Sequence, residues 1–385
     1  MRVEGMVRKA LHECTGLLHA KRLGALIRIT QAAIQAGRVV PAAIGRRVSG
    51  KVRPKDGIKS VDRLLGNPRL AAERWIVFRA LAARMLNEHS IPVVLIDWTQ
   101  PMGTHQALVA AIPIGGRSLP LYIEVHPQNK LSNVDVESAF LTMLSKVLPP
   151  GCRPIVVSDA GFKGPFFLKV LELGWHFVGR IRGTAKAVTL DGVHTISKEQ
   201  FYERATTTPQ NLGIYELFVD QRIPVRLVLV RKRRKPGPKA PPPKCKEERE
   251  LRQAALDPWL LATSLAIGEA ASTVALYAKR MQIEEMFRDA KNHRFGWSLA
   301  DARTASTSRA ANLLVVTAVA LVVVTLLGLA AEQRHVHRAY QANTRKRRVL
   351  SFFRLGCDIV GRRDTTAVPI ANFVAAMTRV WDLAS

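Results

Sequence analysis

An uncharged stretch near the C-terminal end limits the fold more than any other part of the sequence. It covers nineteen residues, 313–331, and reads LLVVTAVALVVVTLLGLAA. A stretch of this length can cross a bilayer, and it can equally form a helix buried on all sides in a larger fold. Basic residues flank both of its ends, Arg309 before it and Arg334 after it, so no orientation bias supports a membrane span. We expect a buried core helix, with a membrane anchor as the alternative.

The charge balance predicts a polyanionic partner. The 385 residues include 58 Lys and Arg against 30 Asp and Glu, a formal net charge of +28. An excess of this size repels itself in a compact fold unless a partner neutralises it, and nucleic acid is the usual partner. A ribosomal-type protein and a membrane-surface binder are the alternatives. Because 48% of the residues are hydrophobic, most of the chain should be globular.

The cysteines and the N-terminal residues are typical of a cytoplasmic protein. The four cysteines form no CxxC pair, so neither a zinc site nor a disulfide framework is indicated. The first residues, MRVEGMVRKALHE, are charged and lack the apolar core of a signal peptide. We expect a cytoplasmic protein that is not associated with a membrane.

Residues 1–90 are predicted to form a helical DNA-binding domain. LIRITQAAIQAGRVVPAAIGRRV has apolar residues at helical spacing, interrupted by Gly37 and Pro41, and KSVDRLLGNPRL gives a further helix ending near Gly66 and Pro68. Short helices around turns are compatible with a helix-turn-helix. A helical cap with no role in nucleic-acid binding is the alternative.

From residue 91 the pattern predicts a mixed α/β sheet. Buried strands are indicated by IPVVLIDW, HQALVAAIPIG, SLPLYIEVHP, RPIVVSDAG and HFVGRIRG, with helices at NVDVESAFLTMLSKVLPP and KGPFFLKVLELGW. The order β-β-β-α-β-α-β makes 91–182 the first part of one α/β domain.

The remainder is predicted to interrupt and then complete that domain. Residues 183–258 read as a β-rich insertion that contains IYELFVD, IPVRLVLV and a basic, Pro-rich loop beginning at Arg231. That basic head could follow a DNA backbone or simply be solvated. WLLATSL resumes the strand pattern, so 259–335 is the second part of the domain, and 336–385 is a C-terminal helical region with a possible role in dimerisation.

Two aspartates close predicted central strands. Asp97 ends VVLID and Asp159 ends IVVSD. The ends of strands in open α/β sheets are where ligands bind, and two carboxylates on neighbouring strands can share a hard cation. A single aspartate in such a position often only begins a turn, which is the alternative for each.

A helix from about Ser272 to His293 is expected to carry a third carboxylate. Its residues Tyr277, Arg280, Glu284, Arg288 and Lys291 follow one another at spacings of three or four, so they should lie in a narrow arc. A solvated face with salt bridges such as Glu284 with Arg288 is the alternative. It leaves the tyrosine and the excess of cations unexplained.

The spacing of Tyr277, Arg280, Glu284 and Lys291 matches the Y-R-E-K signature of bacterial DDE transposases of the insertion-sequence-four family. The contexts IDW, SDAGF, DRLLGN and MQIEEMFRD resemble that family too, and they are most similar to its Tn ten type. The segment between Asp159 and Glu284 is somewhat short compared with the family pattern.

The resemblance implies a ribonuclease H-like fold in which Asp97, Asp159 and Glu284 are catalytic and bind two Mg²⁺ or Mn²⁺ ions. Glu285 is the rival third ligand, although it lies off the polar arc. The resemblance assigns DNA binding to the cationic and aromatic neighbours, which are Tyr277, Arg280, Arg288, Lys291 and Trp259. It implies that Trp259 stacks on a flipped base, for which core packing is the alternative.

The function implied is cut-and-paste transposition. Such an enzyme binds the inverted-repeat ends of double-stranded DNA as a homodimer, nicks them, forms and resolves hairpins, and joins the 3′-hydroxyls to target DNA. No Walker-type loop is evident, so ATP is not expected to take part. A ribonuclease H-fold nuclease without strand transfer and a non-enzymatic DNA-binding regulator are the alternatives.

Overall fold

A computed structural model describes most of the chain. The described residues are 2–48, 50, 52–183, 186–218, 222–232, 242–243, 245–246, 249, 256–266, 268–304 and 306–384. The predicted Pro-rich loop over 231–250 therefore falls largely outside them.

Strands and helices alternate after an all-helical beginning. The strands are β1 Val93–Met102, β2 His105–Ile114, β3 Arg117–His126, β4 Ile155–Ser158, β5 His176–Arg180, β6 Lys186–Val188, β7 Thr195–Ser197, β8 Gln210–Leu217, β9 Ile223–Val230 and β10 Trp259–Thr263. The α-helices are α1 Arg2–Ala10, α2 Ala20–Ala36, α3 Pro41–Gly45, α4 Pro54–Leu65, α5 Pro68–Met85, α6 Val134–Val147, α7 Gly164–Glu172, α8 Lys198–Glu203, α9 Ala270–Ala278, α10 Met281–Lys291, α11 Thr307–Gln333, α12 Phe352–Gly361, α13 Ile370–Thr378 and α14 Val380–Ala384.

The chain divides into two compact units. Unit 1 comprises Met1–Pro154 and Met281–Ser385, and unit 2 comprises Ile155–Arg280. The five domain ranges expected from the sequence stay predictions.

Unit 1 is built around α11, which contains the uncharged stretch. Every residue from Ala310 to Ala331 is buried, and α11 is in contact with α1, α2, α4, α5, α12, α13 and β3. It is long and apolar enough to cross a membrane, but its most apolar window is 100% buried inside the protein. The burial supports the expected core helix, because Val and Leu side chains that are covered in this way each contribute about 1.5–3 kcal/mol.

Glycines allow α12 to lie directly against α11. A Cβ on Gly356 would stand 2.0 Å from the backbone carbonyl oxygen of Val324, and one on Gly328 would clash with that of Phe352. Only hydrogen atoms fit between the two backbones at these points, so neither position tolerates a side chain.

Three strands of unit 1 form an antiparallel meander, in the order β1-β2-β3. Gly115 and Gly116, with φ of 53° and 89°, make the two-residue turn between β2 and β3, as left-handed turns of tight hairpins require. Helix α10 packs on all three strands. This packing brings a helix that carries charged residues against β1.

Unit 2 is a mixed sheet with the order β4-β5-β10-β9-β8-β6-β7. β4 and β5 are parallel, with α7 as the connection between them, and the other pairs are antiparallel. The strands predicted in the insertion are present as β8 and β9, and β9 pairs with β10. They extend the sheet of unit 2 rather than forming a separate one. The mixed α/β prediction is confirmed.

Candidate active site

Asp97 lies within β1 rather than at its end. The sequence placed the end of the strand at this aspartate, but β1 continues to Met102 and Asp97 pairs with Val109 of β2. The first four residues of β1 are buried, whereas Asp97 is half-buried. The strand therefore continues past its buried first four residues, because β2 still offers backbone partners there, and Asp97 lies at the point where its burial decreases.

Lys291, at the end of α10, lies beside Asp97. Its Nζ donates a hydrogen bond to Oγ1 of Thr99 at 2.9 Å, and Thr99 shares a face of β1 with Asp97. Burial lowers the pKa of Lys291, and the negative charge of Asp97 opposes that shift. Lys291 and Asp97 thus form an oppositely charged pair within unit 1.

Glu284 and Glu285 have different surroundings on α10. The Glu285 carboxylate is bound by Arg288 at 2.8 Å and lies 3.5 Å from Arg117. The Glu284 side chain lines a surface cleft of about 390 Å³ together with Phe287, Arg288, Lys291 and Asn292. Glu285 is thus held by two arginines within unit 1, and Glu284 is the glutamate of this pair that lines the cleft.

Asp159 follows β4 directly, as the sequence predicts. The Tyr277 hydroxyl donates to its Oδ1 at 3.0 Å, and Nη1 of Arg280 lies 3.9 Å from its Oδ2. All three residues belong to unit 2.

The Asp159 carboxyl is held in its ionised form. Burial opposes ionisation, but Arg280, the backbone N–H of Ala160, the Tyr277 hydroxyl and Arg182 together outweigh it, so the pKa of Asp159 is lowered. The same contact and burial raise the pKa of Tyr277. The tyrosine is therefore a hydrogen-bond donor at neutral pH, and the aspartate is an anion.

The helix expected over 272–293 is two helices, so the single arc predicted along it is wrong. Helix α9 ends at Ala278, Lys279 and Arg280 form a turn, and α10 begins at Met281. No Gly or Pro marks the break. Arg280 lies in the turn with its guanidinium directed at Asp159, and a tertiary contact of this kind overrides the helical preference of the local sequence.

Trp259 is 7% exposed. Its ring meets Tyr277 edge to face, with centroids 4.7 Å apart, and Nζ of Lys232 lies 4.0 Å from its centroid. This environment fits the alternative of core packing. The role in base stacking stays a prediction, and it requires Lys232 to leave the ring.

The three predicted carboxylates suit a hard divalent cation in donor type and charge. Mg²⁺ prefers oxygen ligands, and the lowered pKa of Asp159 supplies an anion. Asp97 and Glu284 belong to unit 1 and Asp159 to unit 2. Within the described ranges, no group of three Asp, Glu, His or Cys side chains is close enough to hold a metal ion. The residues fit the metal by the chemistry of their donor atoms.

Sequence reasoning missed Arg117 and Asp289. Arg117 Nε donates to Oδ2 of Asp289 at 2.7 Å, and the turn before Arg117 also bonds to α10, since Gly116 N–H donates to Oε1 of Gln282 at 3.2 Å. The hairpin thus fixes the helix that carries Glu284. The only signal in the sequence was the turn GGR, which does not reveal a partner 172 residues away.

The comparisons point to one family. Residues 90–321 match the family model described as "Transposase DDE domain". A comparison with curated proteins gave no match.

Proposed function

The chain belongs to the family of transposase DDE domains, and on that premise we propose that it is a cut-and-paste DNA transposase of an insertion sequence, of the insertion-sequence-four type. The proposed substrates are double-stranded DNA with the inverted-repeat ends of the element, and target DNA. The proposed reaction comprises nicking, hairpin formation and resolution at the ends, and transfer of the 3′-hydroxyls. We place the enzyme in the bacterial cytoplasm, acting as a homodimer with a ribonuclease H-like catalytic domain.

One observation carries the proposal: in each unit, side chains of the Y-R-E-K run contact or neighbour an aspartate. Tyr277 and Arg280 engage Asp159, and Lys291 lies beside Asp97. The residues of a helix face that is only solvated would not be expected to interact with both aspartates. The aspartates are 62 positions apart in the sequence, and they belong to different strand segments, Asp97 within β1 and Asp159 directly after β4.

The chain's own residues would prepare the site for phosphodiester chemistry. Tyr277 and Arg280 orient the Asp159 carboxylate and keep it ionised, and Lys291 places a positive charge beside Asp97. Asp97, Asp159 and Glu284 would hold two Mg²⁺ or Mn²⁺ ions. When bound, such ions activate the attacking oxygen and stabilise the leaving oxygen of an in-line displacement. Arg280, Arg288 and Lys291 would then hold DNA phosphates through charge-assisted hydrogen bonds.

The test uses isosteric substitutions that remove one charge each. Purified wild-type protein is incubated with Mg²⁺ and a duplex carrying the inverted repeats that flank its gene. Asp97→Asn, Asp159→Asn and Glu284→Gln should bind this duplex but lose at least about 100-fold in cleavage, since even the indirect partners of metal ligands contribute 10–100-fold. Glu285→Gln is the matched control and should retain most of the activity.

The products distinguish the alternatives. Hairpins and joined target DNA support a transposase, whereas simple cleavage alone supports a nuclease without strand transfer. If Asp97→Asn leaves every activity of the protein unchanged, the carboxylates are structural and a DNA-binding regulator is the better assignment. Loss of cleavage in Glu285→Gln with retention in Glu284→Gln would exchange the roles of the two glutamates.

A further inference from the structure

The loop that follows α10 presents an exposed aromatic ring. Phe295 is 64% exposed, and it is the only aromatic residue among the exposed large hydrophobic residues of the described part of the chain. It lies four residues beyond Lys291 in unit 1. A single exposed apolar side chain is common at a protein surface, so exposure alone assigns no role to Phe295.

The backbone around Phe295 is fixed by hydrogen bonds. The side-chain oxygen of Asn292 accepts from the backbone N–H of Arg294 and of Phe295, both at 2.8 Å. Gly296 N–H donates to the Asn292 carbonyl at 3.1 Å. A Cβ on Gly296 would stand 2.2 Å from the backbone carbonyl oxygen of Asp289. The loop therefore closes tightly over the end of α10, and this closure holds Phe295 outward.

The next residue anchors the loop in the core. Trp297 is 2% exposed, its backbone N–H donates to the Asp289 carbonyl at 3.0 Å, and its ring meets Phe353 edge to face at 5.1 Å. Its carbonyl accepts from the N–H of Val39 at 2.8 Å. An exposed ring and a buried ring thus stand two positions apart on a short, rigid loop. The backbone that carries the exposed ring is held in place before any ligand arrives, which lowers the entropy lost on binding.

One cation lies against the exposed ring, and two more line a cleft that Asn292, the residue bonded to the Phe295 backbone, also lines. The Arg294 guanidinium lies 5.0 Å from the Phe295 centroid. Arg288, Lys291 and Asn292 line the adjoining cleft with Glu284. An aromatic face beside positive side chains is the arrangement with which proteins bind unpaired nucleic acid, since the ring stacks on a base while the cations meet the backbone. An apolar protein partner would instead have to bury these charges.

We propose that Phe295 is a stacking platform for an unpaired DNA base at the edge of the Glu284–Lys291 cleft. This inference rests on the proposed function, which makes DNA the substrate and requires bases to leave the duplex near the cut. It also assigns that task to a ring that is open to solvent, whereas Trp259 is buried in unit 2.

The test compares single-stranded and duplex DNA on the full-length protein. The probes are a fluorescein-labelled oligonucleotide of about 20 nucleotides, longer than the 4–16 nucleotides that single-strand sites usually cover, and its duplex. Stacking on an aromatic side chain contributes about 1–3 kcal/mol per base, so Phe295→Ala should weaken single-strand binding about 5- to 150-fold. Duplex binding should change less than about twofold, because the phosphate contacts remain.

Two further variants separate stacking from apolar contact. Phe295→Leu keeps an apolar surface without a ring and should resemble Phe295→Ala, and Phe295→Trp should bind the single strand at least as tightly as wild type. A 2-aminopurine base in the oligonucleotide should be quenched on binding by wild type and by Phe295→Trp only. Because the side chain is exposed, all three variants should melt at the wild-type temperature, and a melt verifies this.

The inference is wrong if Phe295→Ala and Phe295→Leu bind the single strand as wild type does. It is also wrong if Phe295→Leu behaves as wild type while Phe295→Ala loses self-association in sedimentation, which would make the ring a contact with a second copy of this chain. The proposed function is tested separately by cleavage of end DNA by wild type. A protein that stacks 2-aminopurine but does not cleave would retain the platform and refute the transposase.

Discussion

Replacing Arg117 by alanine should destabilise the protein, and the loss should depend on pH. The Arg117 guanidinium is 23% exposed and is bonded to the Asp289 carboxylate, which is 13% exposed. Burial raises the pKa of Asp289 to about 6, although Arg117 opposes this shift. Arg117→Ala therefore leaves a largely buried acid without its nearest cation.

The expected loss of stability in Arg117→Ala follows from the burial of the Arg117–Asp289 pair and from the pKa of Asp289. Removing one partner of a buried ion pair costs about 3–5 kcal/mol; since Arg117 is partly exposed and Arg288 also acts on Asp289, we expect about 2–3 kcal/mol at pH 7. The folded-state pKa of Asp289 lies above its ordinary value of 3.8. In wild type, protonated Asp289 therefore contributes its full stabilisation of the fold below about pH 4. This contribution is lost as the pH rises through about 6.

Because the pKa of Asp289 is raised, the loss of stability in Arg117→Ala should depend on pH. Below the pKa of about 6 the carboxyl is protonated with or without Arg117. The destabilisation should therefore shrink by about 1 kcal/mol between pH 7 and about pH 5, since one pKa unit corresponds to about 1.4 kcal/mol. Urea unfolding followed by tryptophan fluorescence at both pH values measures the change.

A double-mutant cycle supplies the control. Arg117→Ala, Asp289→Asn and the double variant should show a coupling of about 1–2 kcal/mol at pH 7, within the range for residues in contact. Arg117→Lys keeps the charge but not the two-sided contact with Asp289 and Glu285, and it should fall between wild type and Arg117→Ala. Equal losses at both pH values, or strictly additive single variants, would refute the reasoning.

Further substitutions test the site and the core. Tyr277→Phe removes a hydrogen-bond donor that lowers the pKa of Asp159. The ionised Asp159 carboxylate stabilises the fold above its unfolded-state pKa, and in the variant this stabilisation should begin to fall at a higher pH as the solution is acidified. Thermal melts across the acid range measure this shift. Gly356→Ala should cost about 3 kcal/mol or more, because its Cβ would meet the Val324 carbonyl at 2.0 Å. Gly361→Ala, on the same helix with no atom within 4 Å of the added Cβ, is the matched control and should be neutral or slightly stabilising; equal losses in both variants would contradict the close approach of α12 to α11.

The elements that the sequence predicts well are those with a strong periodic or apolar pattern. The runs at β1, β2, β3, β5 and β10 are each bounded by turn residues, and α11 has no charge over nineteen positions. Burial of such runs is required by the hydrophobic effect whatever the partners are. The position of Asp159 after β4 was predictable for the same reason.

The features that the sequence did not predict depend on partners distant in the chain. The break at Lys279 and Arg280 arises where Arg280 reaches Asp159, and the length of β1 beyond Asp97 depends on pairing with β2. Arg117 is an ordinary turn arginine until Asp289 is placed beside it. Local patterns report which residues are buried, and they do not report which charged groups meet.

The position of α11 constrains how the chain is made. Its neighbours come from both ends of the sequence: α2 and α5 precede it by more than 200 residues, and α12 and α13 follow it. During synthesis the helix leaves the ribosome while the segments that complete its covering are still being translated. During that interval the apolar surface of α11 is only partly covered. The nascent chain would therefore expose a long hydrophobic segment to which chaperones can bind.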